Sequence, residues 1–540
     1  MKDISSTGSF INFYLNNYIY VDKTKYIRDL IKLERVFISR PRRFGKSLTL
    51  DTIATLFETG VEPYFKGTWI YDKWTEPTYP VLRLNFLDLD KYSLEHFKQK
   101  LNAIISSFAR DINVKNYEEK VEPEDTIYFL LDELRKEKRQ IVILIDEYDC
   151  QMTANINNET LYKQFQEKIK SFYANIKDKF AIKFLGITGV TRLKDVAIFS
   201  VGSDINDITN DSAYSQMIGF TRDEIKKYYI DYLKLAASYE NNCTVDNVTE
   251  AQIESLLDRL AKNYDGYCFD EFYKKKVFST WSVNKFFQSV VSNKFVYFGE
   301  YWYDNGGLPS ILVNYLKTHE LNIFEYLDKD KFLKVSSDDF KNPTALTTIN
   351  QNVLMCQTGY LTLRSDLNKT STVALGIPNG EIYKALNRLL ANNIFKGNTD
   401  ITDDYGRSLL EVGTVDDIIN LFNSALNSVS YDNYPIVSES SVQNMLKLYL
   451  LGAHQKVLSE VHEAKGRADL VVNTDNRRIV FEFKYAKNET EAKSKLLDAV
   501  EQIKTRDYGN IVPKKTELLR IAAVFNADPK VRAFTEYQKV

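Results

Sequence analysis

Short, continuous apolar runs punctuate the first two hundred residues: VFIS (36–39), VLRLNF (81–86), IVILID (141–146) and IKFLGIT (182–188). They do not alternate with polar positions, and the stretches between them are long enough for crossover helices. That is the pattern of parallel strands covered on both faces. A helix is predicted from Lys46 through SLTLDTIATLFETG, closing at Gly60. From about Gly219 the strand signal fades, and FTRDEIKKYYIDYLKLAA and EAQIESLLDRLAKNY show helical periodicity with acidic starts. A mixed region follows, with VLMCQTGYLTLRS (353–365) and a helical IYKALNRLLANNIF (382–395).

Another unit begins around YDNYP (431–435). SESSVQNMLKLYLLGAH reads as a helix capped by Ser438. RADLVV (467–472) and RRIVFEFKY (477–485) read as strands joined by an NTDN turn, a hairpin. The helical ETEAKSKLLDAVEQIKTRDY and a strand, LLRIAAVF, close the chain.

Composition narrows this picture. At 540 residues the chain is too long for one core. Its 71 Lys and Arg nearly cancel 73 Asp and Glu, so no global field announces a polyanionic partner. The four cysteines are scattered without a CxxC pair, and the four histidines show no metal-ligand spacing. The N-terminus lacks a signal-peptide pattern and no run is long enough to span a bilayer, so a cytoplasmic protein with no membrane partner is expected.

Candidate chemistry enters at residues 36–47, VFISRPRRFGKS. A nucleoside triphosphate needs backbone N–H groups around its phosphates, a lysine at the β/γ position and a hydroxyl for Mg²⁺. Gly45, Lys46 and Ser47, after a strand and opening a helix, supply those parts of a P-loop, although its usual first glycine is missing. Arg42, Arg43 and Phe44 lie in the loop, and both arginines are candidates for phosphate contact or for structure. IVILIDEYD ends a buried strand in adjacent carboxylates: Asp146 to hold Mg²⁺ and Glu147 to orient the attacking water. Thr188 stands at the tip of another strand, where it can meet that water or the γ-phosphate. Arg192 can offset transition-state charge in its own chain or a neighbour's, which is compatible with a homo-oligomer.

Asp469 lies on one strand of the predicted hairpin, with Glu482 and Lys484 on the next. A period of two puts Glu482 and Lys484 on one face and Ile479, Phe481 and Phe483 on the other. Two carboxylates there can hold Mg²⁺ against a scissile phosphate, and Lys484 can orient or activate water. RIVFEFKY is too apolar for charge to be decorative, since an unpartnered buried charge is costly. The order helix, hairpin, helix, strand resembles the PD-(D/E)xK nuclease fold. Between residues 475 and 520, eleven Lys and Arg against eight Asp and Glu give a small positive bias that suits a phosphate backbone.

Taken together, YVDKTKYIRDLI (20–31), RPRRFGKSLTLDT (40–52), IDEYD (145–149), ITGVTRL (187–193), YDGY (264–267) and QTGYLTL (357–363) resemble a bacterial and archaeal family. These are AAA-ATPase-like proteins that carry a C-terminal nuclease-type domain. In that family the loop likewise starts RPRRFGKS, so the missing glycine is expected. FSTWS (278–282) departs from the family's Asn-Pro before Trp, which touches a local lid contact. The resemblance implies an α/β protein: a P-loop, AAA-like core at 1–218 and a helical lid at 219–330. It further implies a mixed connecting region at 331–428 and a PD-(D/E)xK nuclease-like domain at 429–540. GRADLVV followed by FEFK also reads like that domain, and this adds Glu439, Glu460 and Gln502 as accessory residues. The function implied is an ATP-binding and ATP-hydrolysing protein coupled to a Mg²⁺-dependent nuclease acting on DNA or RNA. The alternative is a nucleotide-controlled binding or signalling module whose nuclease-like domain does not cut.

Overall fold

A computed structural model describes residues 1–176, 180–193, 205–304, 310–316, 319, 325–343, 345–395, 405–453, 455–463, 466–509 and 516–540. The chain divides into two compact units, one of residues 1–319 and 330–382, the other of residues 320–329 and 383–540.

The first unit is built on a five-stranded sheet of β1 (Arg35–Ser39), β2 (Val81–Asn85), β3 (Ile141–Asp146), β4 (Ile182–Gly189) and β5 (Asn206–Asp207). Their order is β2-β3-β4-β1-β5 and every pairing is parallel. The uniform apolar character of VFIS and IVIL follows from that position: Val36, Phe37, Val142, Ile143 and Ile145 are all buried. All strands point their C-terminal ends to one edge, where open α/β sheets bind ligands. The helix Lys46–Thr59 begins there and ends at Gly60, whose φ of 71° stops it.

Helices Arg222–Tyr228, Ile230–Asn241, Glu250–Tyr264 and Thr280–Asn293 form a second core in the same unit. Their apolar faces bury Leu233, Leu257, Leu260, Phe286 and Phe287 together with Ile19 and Val21 from the N-terminal segment. Thr221 with Glu224, and Thr249 with Gln252, close reciprocal capping boxes that fix two helix starts. A small sheet of β6 (Leu333–Ser336), β7 (Thr362–Leu363) and β8 (Thr372–Gly376), ordered β6-β8-β7, completes the unit.

The second unit holds β9 (Lys456–Glu463), β10 (Gly466–Asn473), β11 (Arg477–Ala486), β12 (Glu517–Asn526) and β13 (Ala533–Lys539), ordered β13-β12-β11-β10-β9. β10 and β11 form the expected hairpin, with Leu470 opposite Phe481 and Val471 opposite Val480. β12 returns parallel to β11 after the helix Glu489–Arg506. Two strands, β9 and β13, lie outside the sequence reading. Each flanks the sheet, and KVLSEVHE and AFTEYQK are too polar to announce themselves. The β11 alternation is as expected. Phe481 and Phe483 meet Phe422 and Phe534, whereas Val480 packs with Ala499, Val500 and Ile503 of the helix.

Candidate functional site

The phosphate loop runs from the end of β1 into the helix Lys46–Thr59, whose N-cap, Gly45, has a φ of 105° that a side chain would strain. Lys46 is 4% exposed, and its ammonium donates to the carbonyls of Arg40 (3.0 Å) and Pro41 (3.2 Å). It also stands 3.6 Å from Glu147 Oε1. Ser47 Oγ donates to Asp146 Oδ2 at 2.6 Å, and the Thr188 hydroxyl donates to the other oxygen of the same carboxylate. Hydroxyl, ammonium and both carboxylates therefore converge from β1, β3 and β4. Burial raises the Glu147 carboxyl above its usual range against the pull of Lys46. Its φ of 52° adds backbone strain at the same point.

The other residues singled out in the loop divide by role. Phe44 is buried against Tyr267, Phe269 and Trp302, so its side chain anchors the loop in the core. Arg43 stacks 4.6 Å from the Trp281 ring and reaches the carbonyls of Tyr301 and Trp302. Arg42 lines the nucleotide-sized cavity described next. Arg192 is not brought to that cavity: its guanidinium pairs with Asp207 on β5.

Next to the loop is a cavity of about 360 Å³. One end is the loop itself with Glu147, and the apolar side chains of Ile19, Val21, Met217, Phe220 and Tyr229 line another part. Ser5 to Gly8 close one wall, a contribution that sequence reasoning missed. Lys23, in the VDKTKY motif, pairs with Glu224 at 2.6 Å and donates to the Gln216 carbonyl, tying this wall to the helical core. Asp149, the last residue of IDEYD, is buried and accepts from Thr191 N at 2.7 Å, so it shapes the turn after β4. Gly189 is required beside it, because a Cβ there would stand 2.4 Å from the Tyr148 ring.

In the second unit, β10 and β11 bring Asp469, Glu482 and Lys484 together. Asp469 Oδ2 accepts from Phe483 N at 2.8 Å, and Lys484 Nζ donates to Glu482 Oε1 at 2.8 Å. Glu482 is 0% exposed, and its Oε2 is buried with no hydrogen-bond partner. Burial, helped by Asp469, pushes its carboxyl up to about 7, and burial also raises Asp469. Burial works to lower the Lys484 ammonium, but its hydrogen bond and charge pairing with Glu482 hold it above its usual value.

Glu439, the first residue of the helix Glu439–Gly452, lies 3.6 Å from Lys484 and so joins the group. Gln502 is tied to Tyr508 at 3.3 Å, and Tyr508 also accepts from Arg506. Glu460 falls on β9, and its side chain lies outside the described residues. Gln443, which the sequence reading missed, acts on Asp469 by a side-chain hydrogen bond.

Among the described residues, no group of three or more His, Cys, Asp or Glu is arranged to hold a metal. The residues present nevertheless fit a divalent cation in pairs. Ser47 and Asp146 offer hard oxygens at one site. At the other, Asp469 and the unpartnered oxygen of Glu482 form an acidic pair of hard oxygens, whose carboxyls burial holds above their usual range.

A glycine-capped phosphate loop with paired carboxylates on a parallel sheet defines a P-loop nucleotide-binding class. An Asp, Glu and Lys set on a mixed five-stranded sheet defines a nuclease-type class. Comparison with known proteins agrees with both. Residues 5–199 match the family described as predicted AAA-ATPase, and residues 437–534 match the PD-(D/E)XK nuclease superfamily. The chain therefore joins an AAA-ATPase-like domain to a PD-(D/E)XK nuclease-superfamily domain. It is 26% identical, over 533 residues, to an uncharacterized protein in the vnfD 5' region of Azotobacter chroococcum mcd 1, covering 95% of this chain and 94% of that protein. An overlay on the crystal structure of Cdc6p from Pyrobaculum aerophilum covers 72% of this chain and 99% of that one. At 11% identity and a TM-score of 0.25, that overlay is too loose to bear on fold or function.

Proposed function

We propose that this protein binds and hydrolyses ATP and that nucleotide turnover controls a Mg²⁺-dependent nuclease site acting on DNA or RNA. The observation that carries the first half is the convergence of Lys46, Ser47, Asp146 and Glu147 at the mouth of one cavity. Its apolar end accepts the adenine ring, and its loop accepts the phosphates on backbone N–H groups. Lys46 moves from the Arg40 and Pro41 carbonyls to the phosphates, and Glu147 orients and polarises the attacking water. Ser47 and Asp146 would hold Mg²⁺. A cytoplasmic setting and self-assembly through a neighbour's arginine remain part of this reading.

The second half rests on Glu482, buried with one oxygen unanswered beside Asp469 and Lys484. Asp469 and Glu482 would hold Mg²⁺, which supplies Lewis-acid polarisation of the scissile phosphate when bound. Lys484 positions the water and offsets charge developing on the phosphate. One observation favours a second reading, a nucleotide-controlled binding module: among the described residues the site offers no cluster of three ligating side chains.

A cleavage assay on single- and double-stranded DNA and RNA, with Mg²⁺ or Mn²⁺ and with or without ATP, separates the two. Cleavage by the wild type and its loss in Glu482→Ala support the nuclease. If the wild type cuts none of the four substrates, or the variant cuts equally well, the nuclease half is wrong.

A further inference from the structure

A second cavity, of about 40 Å³, lies behind the phosphate loop and shares no residue with the nucleotide cavity. Arg40 borders it together with Arg192, Thr209, Cys356 and Gln357. Arg40 is 1% exposed. Its Nη1 donates to the carbonyls of Ser39 (2.9 Å) and Thr209 (2.6 Å), and its guanidinium lies 4.1 Å from the Phe269 ring. The remaining donors, Nε and Nη2, are buried without a hydrogen-bond partner. These two make up the side-on fork by which arginine grips anions.

Charge around the cavity is unbalanced. Arg192 is matched by Asp207, whose charge also acts on Arg40 from a distance. Among the described residues, two cations thus face one carboxylate. Burial depresses Arg40 only to about 9, so it stays cationic at neutral pH. A water could answer one donor, but it would leave the charge uncompensated in a medium where that is costly. The space exceeds one water.

We propose that this cavity binds a small monovalent anion of the halide class, held by Nε and Nη2 of Arg40. The carbonyls of Arg40 and Pro41 hold the Lys46 ammonium, so the ion sits behind the backbone that positions the phosphate-loop lysine. Occupancy stabilises the loop before nucleotide arrives.

The test uses the full chain with sodium bromide. An anomalous peak within hydrogen-bonding distance of Arg40 Nε and Nη2 is expected. In solution, chloride should raise the thermal midpoint saturably over gluconate at equal ionic strength, by about 2 °C or more. Arg40→Lys, which keeps the charge and loses the fork, should lose both effects. If that variant fails to fold, the wild-type bromide map and chloride titration decide alone. Water alone at the site, or the Asp207 carboxylate turned onto Arg40, overturns the proposal. So does a peak without any chloride-specific shift, which marks an adventitious ion.

Discussion

The Thr280 hydroxyl donates to the carbonyl of Arg43 at 2.9 Å, across 237 residues of sequence. It joins the start of the helix Thr280–Asn293 to the phosphate loop, and the neighbouring Trp281 stacks on Arg43. Thr280 belongs to FSTWS, where the resemblance leads one to expect Asn-Pro, and here a hydroxyl supplies the contact. Thr280→Val should leave this carbonyl unanswered at a cost of about 1 kcal/mol, roughly fivefold in affinity. Titration with a fluorescent ATP analogue measures it. An unchanged Kd would show that the contact does not shape the loop.

Lys46 and Glu147 should separate binding from turnover. Lys46→Ala removes the only ammonium placed at the loop among the described residues lining that end of the cavity, and ATP binding should fall at least tenfold. Glu147→Gln preserves shape, so binding should persist while hydrolysis drops by about 10²-fold or more. Phosphate release and equilibrium binding, measured on both variants, check this. Full turnover in Glu147→Gln would assign the water-orienting role elsewhere.

At Glu482 stability and activity should move in opposite directions. Burial disfavours the Glu482 charge even beside Lys484, and Gln removes that charge while its carbonyl still accepts from Lys484. Glu482→Gln should therefore be as stable as the wild type or more stable, by about 1 kcal/mol, and inactive in Mg²⁺-dependent cleavage. Thermal melts beside the cleavage assay test the pair of outcomes. A marked loss of stability would identify Glu482 as a structural residue.

Glu381 carries a pH dependence in the first unit. It is 2% exposed and accepts from Ser282 Oγ (2.7 Å) and Trp302 N (2.8 Å). Burial pushes its carboxyl up to about 8, with Glu300 adding to the shift and its two donors opposing it. The folded value lies above the unfolded one, so the unfolded chain releases this proton first. The contribution is fully present below about pH 4.5 and is lost as pH rises to about 8, on the order of 3–5 kcal/mol. Glu381→Gln should flatten that part of the profile, and denaturant melts at pH 5, 6.5 and 8 would show it. An unchanged slope would mean that the carboxyl titrates normally.

Much of both sites was legible because local signals carried it. Lys46 and Ser47 follow from a strand, a glycine and a helix start that adjoin in sequence. The β10–β11 hairpin is similarly local, since a four-residue turn and a period of two place Asp469 beside Glu482 and Lys484. What local pattern could not give was partnership. Thr188 was expected to meet the attacking water or the γ-phosphate, and no pattern showed that its hydroxyl bonds Asp146. Arg192 was expected to offset transition-state charge in its own chain or a neighbour's, and no pattern showed that within this chain it pairs with Asp207 of a two-residue strand. The edge strands β9 and β13 were unreadable for a different reason: each pairs with its neighbour in sequence, but KVLSEVHE and AFTEYQK carry too few apolar positions to show a strand pattern.

The sequence by itself determined the elements and the side chains that carry chemistry. Backbone sterics, apolar periodicity and the need to answer buried charge act over a few residues at a time. Only the tertiary structure decided which strands are neighbours, and hence that β4 lies between β1 and β3 and hands Thr188 to Asp146. It alone closed the cavity with Ser5 to Gly8 and left half of the Arg40 guanidinium unanswered. Those outcomes depend on contacts between segments far apart in the chain, where burial and packing set each partner and no local pattern records the choice.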